Sequence, residues 1–331
     1  MNTKLQLLCV TSLLACIATT AHAQKLCVFD PLGTQGDGFA FMKDYAIAAK
    51  QWGADVTLKA YTDDQLANDD FKDGKCDALS TLGIRARQFN GFTGSIDSLG
   101  AVPDEATAKI IITLMANPKL APDMINGDTE VVGVSALGST YPIVDDRSVN
   151  SMAKMAGKNF GALAFDKAQL IVAEKMGCNV VPVTLTTLGN KFNSGQLDII
   201  AVPALAVKAF ELTKGIGSKG AIARYPVAYI TNQILIHQSK FPDGFGAQSR
   251  PWILGQLARQ IKSAQRIENS IDARYWMDLP ASDKLGYDKL FRQTRMSLTH
   301  EGIYNKRMMG ILKKTRCVQN PASYECALKD E

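Results

Sequence analysis

The 331-residue sequence lacks the motifs that identify most enzymes and metalloproteins. It contains only three histidines, and neither His237 nor His300 belongs to an H-E-x-x-H motif or to a paired Cys/His spacing that would suggest zinc. No G-x-S-x-G motif marks a nucleophilic serine. The sequence therefore predicts a protein that is not an enzyme and that holds neither a metal nor a cofactor.

Long apolar runs and a strong net charge are also missing. After residue 23, no uninterrupted apolar run approaches the roughly 20 residues that a membrane-spanning helix requires. The formal net charge is +5, and it falls to +4 when the first 23 residues, which carry Lys4, are removed. A charge this small on a chain of this length is a weak basis for nucleic-acid binding. We therefore expect no nucleic-acid partner.

What is present begins with a secretory signal peptide. Lys4 provides a positive start, Leu5 to Ile17 is mostly apolar, and Ala21-His22-Ala23 is an A-x-A cleavage site. We predict that the mature chain begins at Gln24 and is exported to the periplasm. The alternative is a lipobox at Leu13 to Cys16, which would leave the protein anchored through a lipid on Cys16.

Five of the seven cysteines follow the predicted signal peptide, and an oxidising compartment allows them to pair. Cys317 and Cys326 flank a predicted turn at Asn320-Pro321, where a bridge would close a small loop. Cys27 and Cys76 lie in predicted strands that are neighbours in the order 2-1-3, so they are a second candidate pair. Cys178 is then a buried free thiol. The alternative is that all five are reduced.

The segment from Gly157 to Pro203 alternates between strands and helices. Its predicted strands are Phe160 to Phe165, Val180 to Val183 and Leu197 to Val202. Such alternation favours parallel strands with crossover helices, and these sheets bind small molecules at the carboxyl ends of their strands. We interpret this segment as one ligand-binding lobe.

The beginning of the mature chain repeats this alternation, which predicts another lobe of the same kind. Its predicted elements are strand Leu26 to Asp30, helix Gly38 to Trp52, strand Asp55 to Tyr61, helix Asp63 to Asp73, strand Cys76 to Thr81 and helix Pro103 to Asn117.

The remaining segments are predicted to connect the lobes and to complete the fold. Strands Glu130 to Leu137 and Tyr141 to Val144 carry the chain across, and a β-rich run from Ala221 to His237 carries it back. Helices are predicted at Trp252 to Ile271 and at Leu298 to Thr315.

The sequence from Lys25 to Thr315 resembles the TRAP-type (DctP-family) periplasmic solute-binding proteins. The resemblance is strongest between Gly157 and Phe241. The matching motifs are Gly157-Lys158-x-Phe160, Met176-Gly177, Pro182-Val183, Asn193-Ser194-Gly195-Gln196-Leu197-Asp198 and Pro203. Chains like this one are sometimes labelled RND-type efflux components.

The resemblance implies an α/β fold of the type II-like periplasmic-binding-protein class. Each of two lobes is a mostly parallel sheet flanked by helices, with crossing hinge strands and a helical carboxyl-terminal part. The implied divisions are a signal peptide at 1–23, lobe I at 24–137, lobe II at 138–224, and a return to lobe I with the hinge strand and last helices at 225–331.

The implied function is capture of a small polar organic solute in a cleft between the lobes. The protein, a monomer, would then deliver this small-molecule solute to the subunits of a TRAP-type inner-membrane permease. The alternative is a periplasmic accessory protein associated with an RND-type drug-efflux system. One position departs from the family, in which an arginine that clamps the solute's carboxylate is usual where this chain has Gly161.

Candidate ligand-binding residues lie where predicted strands end. In the first lobe, the glycine-rich loop after the first strand opens a helix whose free amides can hold a polar group, although it can equally be an ordinary turn. Its G-x-x-G-x-G pattern differs from the dinucleotide-binding spacing. Arg85 or Arg87 is a candidate source of the cation that Gly161 does not provide. The first-lobe candidates are Asp30, Thr34, Asp37, Ser80, Thr81, Arg85 and Arg87.

In the second lobe and the returning strand, the candidates are Asp166, Pro203, Tyr225, Tyr229 and Asn232. Asp166 is placed to accept a hydrogen bond from an amine or hydroxyl, or alternatively to cap the helix that follows it. The tyrosines offer aromatic faces to a ligand, with core packing as the alternative role.

Overall fold

The computed structural model describes residues 23–328. The predicted signal peptide, apart from Ala23, and the alternative lipid anchor on Cys16 lie outside the described residues. Within the described part of the chain, no helix is both long enough and apolar enough to cross a bilayer.

The described residues form a single mixed sheet of eleven strands. The strands are β1 (Gln24–Phe29), β2 (Val56–Tyr61), β3 (Ala78–Leu82), β4 (Ile125–Asn126), β5 (Thr129–Val144), β6 (Asn159–Leu163), β7 (Asn179–Val183), β8 (Ile199–Pro203), β9 (Ala221–Ala223), β10 (Ala228–His237) and β11 (Trp276–Met277). The main order is β2-β1-β3-β10-β5-β8-β6-β7, with β4, β9 and β11 paired outside this path.

Fourteen α-helices flank this sheet in residues 23–328. They are α1 (Asp37–Gln51), α2 (Asp64–Lys72), α3 (Gly83–Ala86), α4 (Gly91–Gly94), α5 (Glu105–Leu114), α6 (Met152–Met155), α7 (Lys167–Lys175), α8 (Leu185–Asn193), α9 (Ala204–Ala209), α10 (Thr213–Ile216), α11 (Phe245–Gly255), α12 (Leu257–Asn269), α13 (Ala281–His300) and α14 (Lys306–Gln319).

The two halves of the sheet form two lobes. In lobe I, β2, β1 and β3 are parallel, in the predicted order 2-1-3, and they adjoin β10. In lobe II, β7, β6 and β8 are parallel, and β8 adjoins β5. In each lobe, helices connect the successive parallel strands. The inner strands β1, β3, β6 and β8 are largely buried, as expected for parallel sheets covered by helices. The alternation predicted from the sequence is therefore confirmed in both lobes.

The lobes are joined by β5 and β10, which run antiparallel to each other. The two strands predicted between Glu130 and Val144 are in fact one continuous strand, because an irregularity at Leu137 and Gly138 bends the chain without ending the ladder. Gly138 has φ +129, a conformation that favours glycine. The run predicted from Ala221 to His237 is divided into β9 and β10.

The helical carboxyl-terminal part differs from the prediction at two breaks. The helix predicted at Trp252 to Ile271 is divided into α11 and α12 near Gln256. The prediction of one helix from Leu298 to Thr315 is wrong. Helix α13 ends at His300, and Gly302 adopts φ +74 before α14 begins.

Helix α13 contacts both lobes. The Tyr287 hydroxyl lies 3.4 Å from the Met155 sulfur of lobe II, whereas Arg295 donates to the Leu99 carbonyl of lobe I at 3.1 Å. One apolar core cluster consequently extends through both lobes, and two others are centred on the α1 face of lobe I and the α8 face of lobe II.

Two disulfides are present in residues 23–328. Cys27 is joined to Cys76, which confirms the pair predicted from neighbouring strands. Cys317 is joined to Cys326, and this bridge holds the last described residues against α14. Cys178 is free and buried, and burial raises the pKa of its thiol to about 11, so it is a poor nucleophile.

Candidate functional site

The lobes meet at the carboxyl ends of β3 and β6. β3 ends at Leu82 and leads directly into α3, which carries Arg85 and is followed by Arg87. β6 ends at Leu163 and is followed by Phe165 and Asp166, the residue that precedes α7. Two nearby basic side chains of lobe I thus face two consecutive residues of lobe II.

The first contact between the lobes stacks Arg85 on Phe165. The guanidinium carbon of Arg85 lies 3.3 Å from the centre of the Phe165 ring, which places the cation on the ring face. The same guanidinium is ion-paired with Asp64 at the start of α2, and both side chains are almost completely buried. Arg85 is therefore held by its own lobe while it contacts the other.

The second contact is an ion pair between Arg87 and Asp166. Arg87 Nη1 donates to Asp166 Oδ1 at 3.3 Å, and Arg87 Nε donates to the Gly94 carbonyl at 3.1 Å. The guanidinium also lies over the Tyr304 ring at 4.9 Å. A side chain at Gly94 would clash with the Arg87 backbone, so glycine permits this close approach of α4.

A third buried carboxylate lies on the lobe I side. Asp97 accepts a hydrogen bond from the Thr231 amide at 3.0 Å and another from the Thr231 hydroxyl at 2.7 Å. Burial raises the pKa of Asp97 to about 7, despite these two hydrogen bonds and the nearby positive charge of Arg87. Asp97 thereby ties the crossing strand β10 to lobe I.

Three polar atoms in this cluster are buried and lack a hydrogen-bond partner. They are Arg87 Nη2, a donor, Asp64 Oδ1, an acceptor, and the Tyr304 hydroxyl, which can do either. Buried polar groups are normally paired, because leaving one unpaired costs about 1–3 kcal/mol. The cluster therefore leaves one cationic N–H group, one carboxylate oxygen and one phenol hydroxyl without a partner in the protein.

The structure brings together Arg85, Arg87 and Asp166 of the predicted site. Asp166 also has the capping role that was its alternative, because Oδ1 accepts a hydrogen bond from the Ala168 amide at 3.2 Å. Pro203 ends β8 and immediately precedes α9, at the same edge of the lobe II sheet.

The glycine-rich loop after β1 is arranged differently from the prediction. The Asp30 carboxylate accepts hydrogen bonds from the amides of Leu32 at 2.9 Å and Phe39 at 3.1 Å. It thus occupies the amino-terminal end of α1, where the free amides were expected to hold a ligand group. Thr34 and Asp37 are exposed on this loop and at the first position of α1.

Three more candidates form hydrogen bonds within lobe I. Ser80 accepts from the Asn232 side chain at 2.9 Å, and this contact joins β3 to β10. Thr81 is completely buried and accepts from Asn68 at 2.9 Å. These hydrogen bonds join β3 to β10 and to α2.

The two tyrosine candidates pack in or against the core: Tyr229 is buried and Tyr225 is partly buried. The Tyr225 hydroxyl donates to Asp288 at 2.5 Å, and its ring packs against Tyr287 and Phe291. Tyr229 is buried, and burial raises the pKa of its hydroxyl. Core packing, the alternative role, describes both residues.

Gly161 lies in the interior of lobe II. A Cβ atom there would lie 2.7 Å from Leu197 Cδ1 and 3.2 Å from Ile200 Cγ2, both in fully buried side chains. A larger side chain on this backbone would therefore enter the apolar core. β6 consequently supplies no cation to the meeting point of the lobes.

A separate cavity of about 300 Å³ lies at the opposite edge of the lobe II sheet, near the start of β8. Its lining includes Asp145, Phe192, Lys214 and Lys219. None of the predicted ligand-binding residues contributes to it.

Four residues at the lobe contact were not predicted as ligand-binding candidates: Asp64, Asp97, Phe165 and Tyr304. Asp63 caps α2, whereas Asp64 in the first turn of that helix pairs with Arg85. Phe165 was predicted to end a strand, and this position is the sequence signal that could have identified it as a ligand-binding candidate. Asp97 and Tyr304 lie in turns far from any strand end, and no sequence pattern distinguishes them.

Comparison with known sequences identifies a family. The model of the family "Solute-binding protein AdeT 1/2" matches residues 46–331. "Probable solute-binding protein AdeT1" from Acinetobacter baumannii is 45% identical over 304 residues, which are 92% of this chain and 100% of that protein. "Probable solute-binding protein AdeT2" from the same organism is 26% identical over 235 residues, 71% of this chain and 99% of that protein.

Comparison with solved structures establishes the fold. A TRAP periplasmic solute binding protein from Desulfovibrio salexigens, with bound orotic acid, matches with a TM-score of 0.73 at 11% identity, over 89% of this chain and 99% of that chain. One from Haemophilus influenzae RdAW, with bound L-gulonate, matches with a TM-score of 0.72 at 11% identity, over 88% and 99%. These matches confirm the predicted two-lobed α/β fold.

Proposed function

Because this chain belongs to the AdeT 1/2 family of solute-binding proteins, we propose that it captures a small polar organic solute between its lobes and delivers it to a TRAP-type inner-membrane permease. It acts in the periplasm as a monomer and catalyses no reaction. Lobe I comprises residues 24–137 together with the returning chain, and lobe II comprises residues 138–224.

The pair of contacts between the lobes carries this proposal. Arg85 and Arg87 of lobe I reach Phe165 and Asp166 of lobe II, so the same four side chains line the cleft and report whether it is closed. Ligands of two-lobed proteins bind where the lobes meet, and closure orders both lobes around them. The irregularity in β5 at Leu137 and Gly138 provides a place for the chain to bend.

The closed form is the one that a permease would recognise. Closure brings α7 of lobe II against the region after β3 in lobe I, and it excludes water from the solute. The solute would bind through the unpaired polar atoms of the lobe contact, which are Arg87 Nη2, Asp64 Oδ1 and the Tyr304 hydroxyl.

A thermal-shift screen tests the proposal. The mature protein is heated with sugars, amino acids, amines, carboxylates and antibiotics, and we expect a ligand held at about 100 times its Kd to add about 2.7 kcal/mol to stability. Arg85→Gln should abolish the shift, because it removes both the stacking on Phe165 and the charge beside Asp64. Arg259→Gln, which alters an exposed ion pair with Asp44, is the matched control and should leave the shift intact. A complete absence of shifts would instead favour the accessory role in efflux.

A further inference from the structure

Resting on the proposed solute capture, we propose that Asp166 is a specificity-determining residue that makes the cleft reject organic anions. The lobe II carboxylate takes the position on Arg87 that an anionic ligand would otherwise occupy. The solute of this protein is then an uncharged polar molecule or a cation, such as a polyol, an amide or an amine.

The charges at the lobe contact support this assignment. Each of the two arginines already has a carboxylate partner, since Arg87 pairs with Asp166 and Arg85 pairs with Asp64. An organic anion entering this region would therefore meet arginines whose charge is already balanced by a carboxylate, which disfavours its binding.

The position of Asp166 is fixed by the fold. Its Oδ1 atom accepts hydrogen bonds both from Arg87 Nη1 and from the Ala168 amide at the start of α7. Since the helix itself holds the carboxylate, closing the lobes brings this group to Arg87. Lobe II therefore places the Asp166 carboxylate beside the Arg87 guanidinium of lobe I.

Lobe II offers little positive charge in return. β6 spans Asn159–Leu163 and contains no basic residue. Lys167, the first residue of α7, is exposed and is paired with Glu301 at 2.7 Å. On the lobe II side of the cleft, Asp166 consequently determines which charge on a solute is favoured.

Two of the unpaired atoms at the lobe contact indicate what a solute would contribute. Arg87 Nη2 remains available to an oxygen acceptor, and an uncharged carbonyl or hydroxyl oxygen satisfies it without adding negative charge. Asp64 Oδ1 needs a donor, which an amine, amide or hydroxyl provides. An uncharged or cationic solute with both kinds of group satisfies both atoms.

The test is a change of specificity on Asp166→Asn. Asparagine is as good a helix cap as aspartate, so the variant keeps the start of α7 while it removes the counter-charge of Arg87. Isothermal titration with malonate and with D-glucuronate should detect no binding to the wild type at millimolar concentration. The Asp166→Asn variant should bind at least one of them, with an affinity increased by about tenfold or more.

Two controls accompany this variant. Asp104→Asn alters an aspartate that caps α5 through the Thr107 amide, away from the lobe contact, and it should behave like the wild type. The double variant Arg87→Gln/Asp166→Asn removes both charges and should also bind no carboxylate. If Asp166→Asn alone is unstable, the carboxylates should raise its melting temperature and leave those of the wild type and the double variant unchanged.

The possible outcomes separate this inference from the proposed function. Equal carboxylate binding by wild type and Asp166→Asn overturns the inference, and so does the absence of carboxylate binding to Asp166→Asn. The proposed function fails on a different observation, namely that no solute of any class shifts the melting temperature of the wild type.

Discussion

Replacing Cys27 and Cys76 together with alanine is expected to lower the free energy of unfolding by about 4 kcal/mol at 25 °C. The bridge joins residues that are 49 positions apart, so it removes much of the freedom of the unfolded chain. Both cysteines are buried in lobe I, where the bridge links β1 to the residues before β3. Calorimetry or denaturant unfolding of the oxidised wild type and the double variant measures the difference.

The second disulfide provides a matched control. Cys317 and Cys326 are separated by nine positions, so the same chain-entropy argument gives about 2.5 kcal/mol for their replacement with alanine. Glu325 should remain docked after this change, because its carboxylate is paired with Arg295 and Arg316. Equal losses in the two double variants would contradict the dependence on loop length.

Asp97 is expected to make the protein less stable as the pH rises from about 4 to 7. Burial raises the pKa of its carboxyl group to about 7, above the value of about 3.9 that is usual for an aspartate. The folded protein therefore keeps a proton that the unfolded chain has already released. The stabilisation that this proton provides is complete below the pKa of Asp97 in the unfolded chain. It is lost as the pH approaches the pKa of Asp97 in the folded protein, and the free energy of unfolding falls by about 4 kcal/mol in total.

The Asp97→Asn variant isolates this effect. Asparagine has the same size and retains an oxygen that accepts from the Thr231 amide, while its amide group can donate to the Thr231 hydroxyl. The stability of the wild type relative to the variant should fall by about 1.4 kcal/mol per pH unit within this interval. Unfolding curves of the two proteins at several pH values give this difference, and a difference that does not vary with pH would disprove the raised pKa.

The alternating elements of both lobes were predictable because their inner strands, β1, β3, β6 and β8, are short, mostly apolar and largely buried. This pattern distinguishes strands such as β8 from the amphipathic helices between them. The order 2-1-3 in turn predicted that Cys27 and Cys76 are neighbours. Local composition was therefore sufficient for the parts of the fold that repeat a standard unit.

Element boundaries were less predictable where the apolar pattern continues through a turn. Tyr304 and Met308 are buried and lie at helical spacing, although the chain turns at Gly302 before α14 begins. The pattern thus reports burial in both α13 and α14, and it does not report the change of direction between them.

The site was predictable only where it follows strand ends. Arg85, Arg87 and Asp166 were identified because α/β sheets bind ligands at the carboxyl ends of their strands. Their partners depend on contacts across long stretches of sequence, since Asp166 lies 79 residues from Arg87, and Thr231 lies 134 residues from Asp97. No local pattern specifies such pairs.

Native mass spectrometry tests the central claim most directly. The purified mature protein is incubated with a small-molecule extract of the cells that produce it, freed of unbound solutes, and weighed intact and after unfolding. We expect the intact wild type to carry one small molecule that is released on unfolding, and the Arg85→Gln variant to carry none. Retention of the same molecule by both proteins, or by neither, would contradict a solute site at the contact between Arg85 and Phe165.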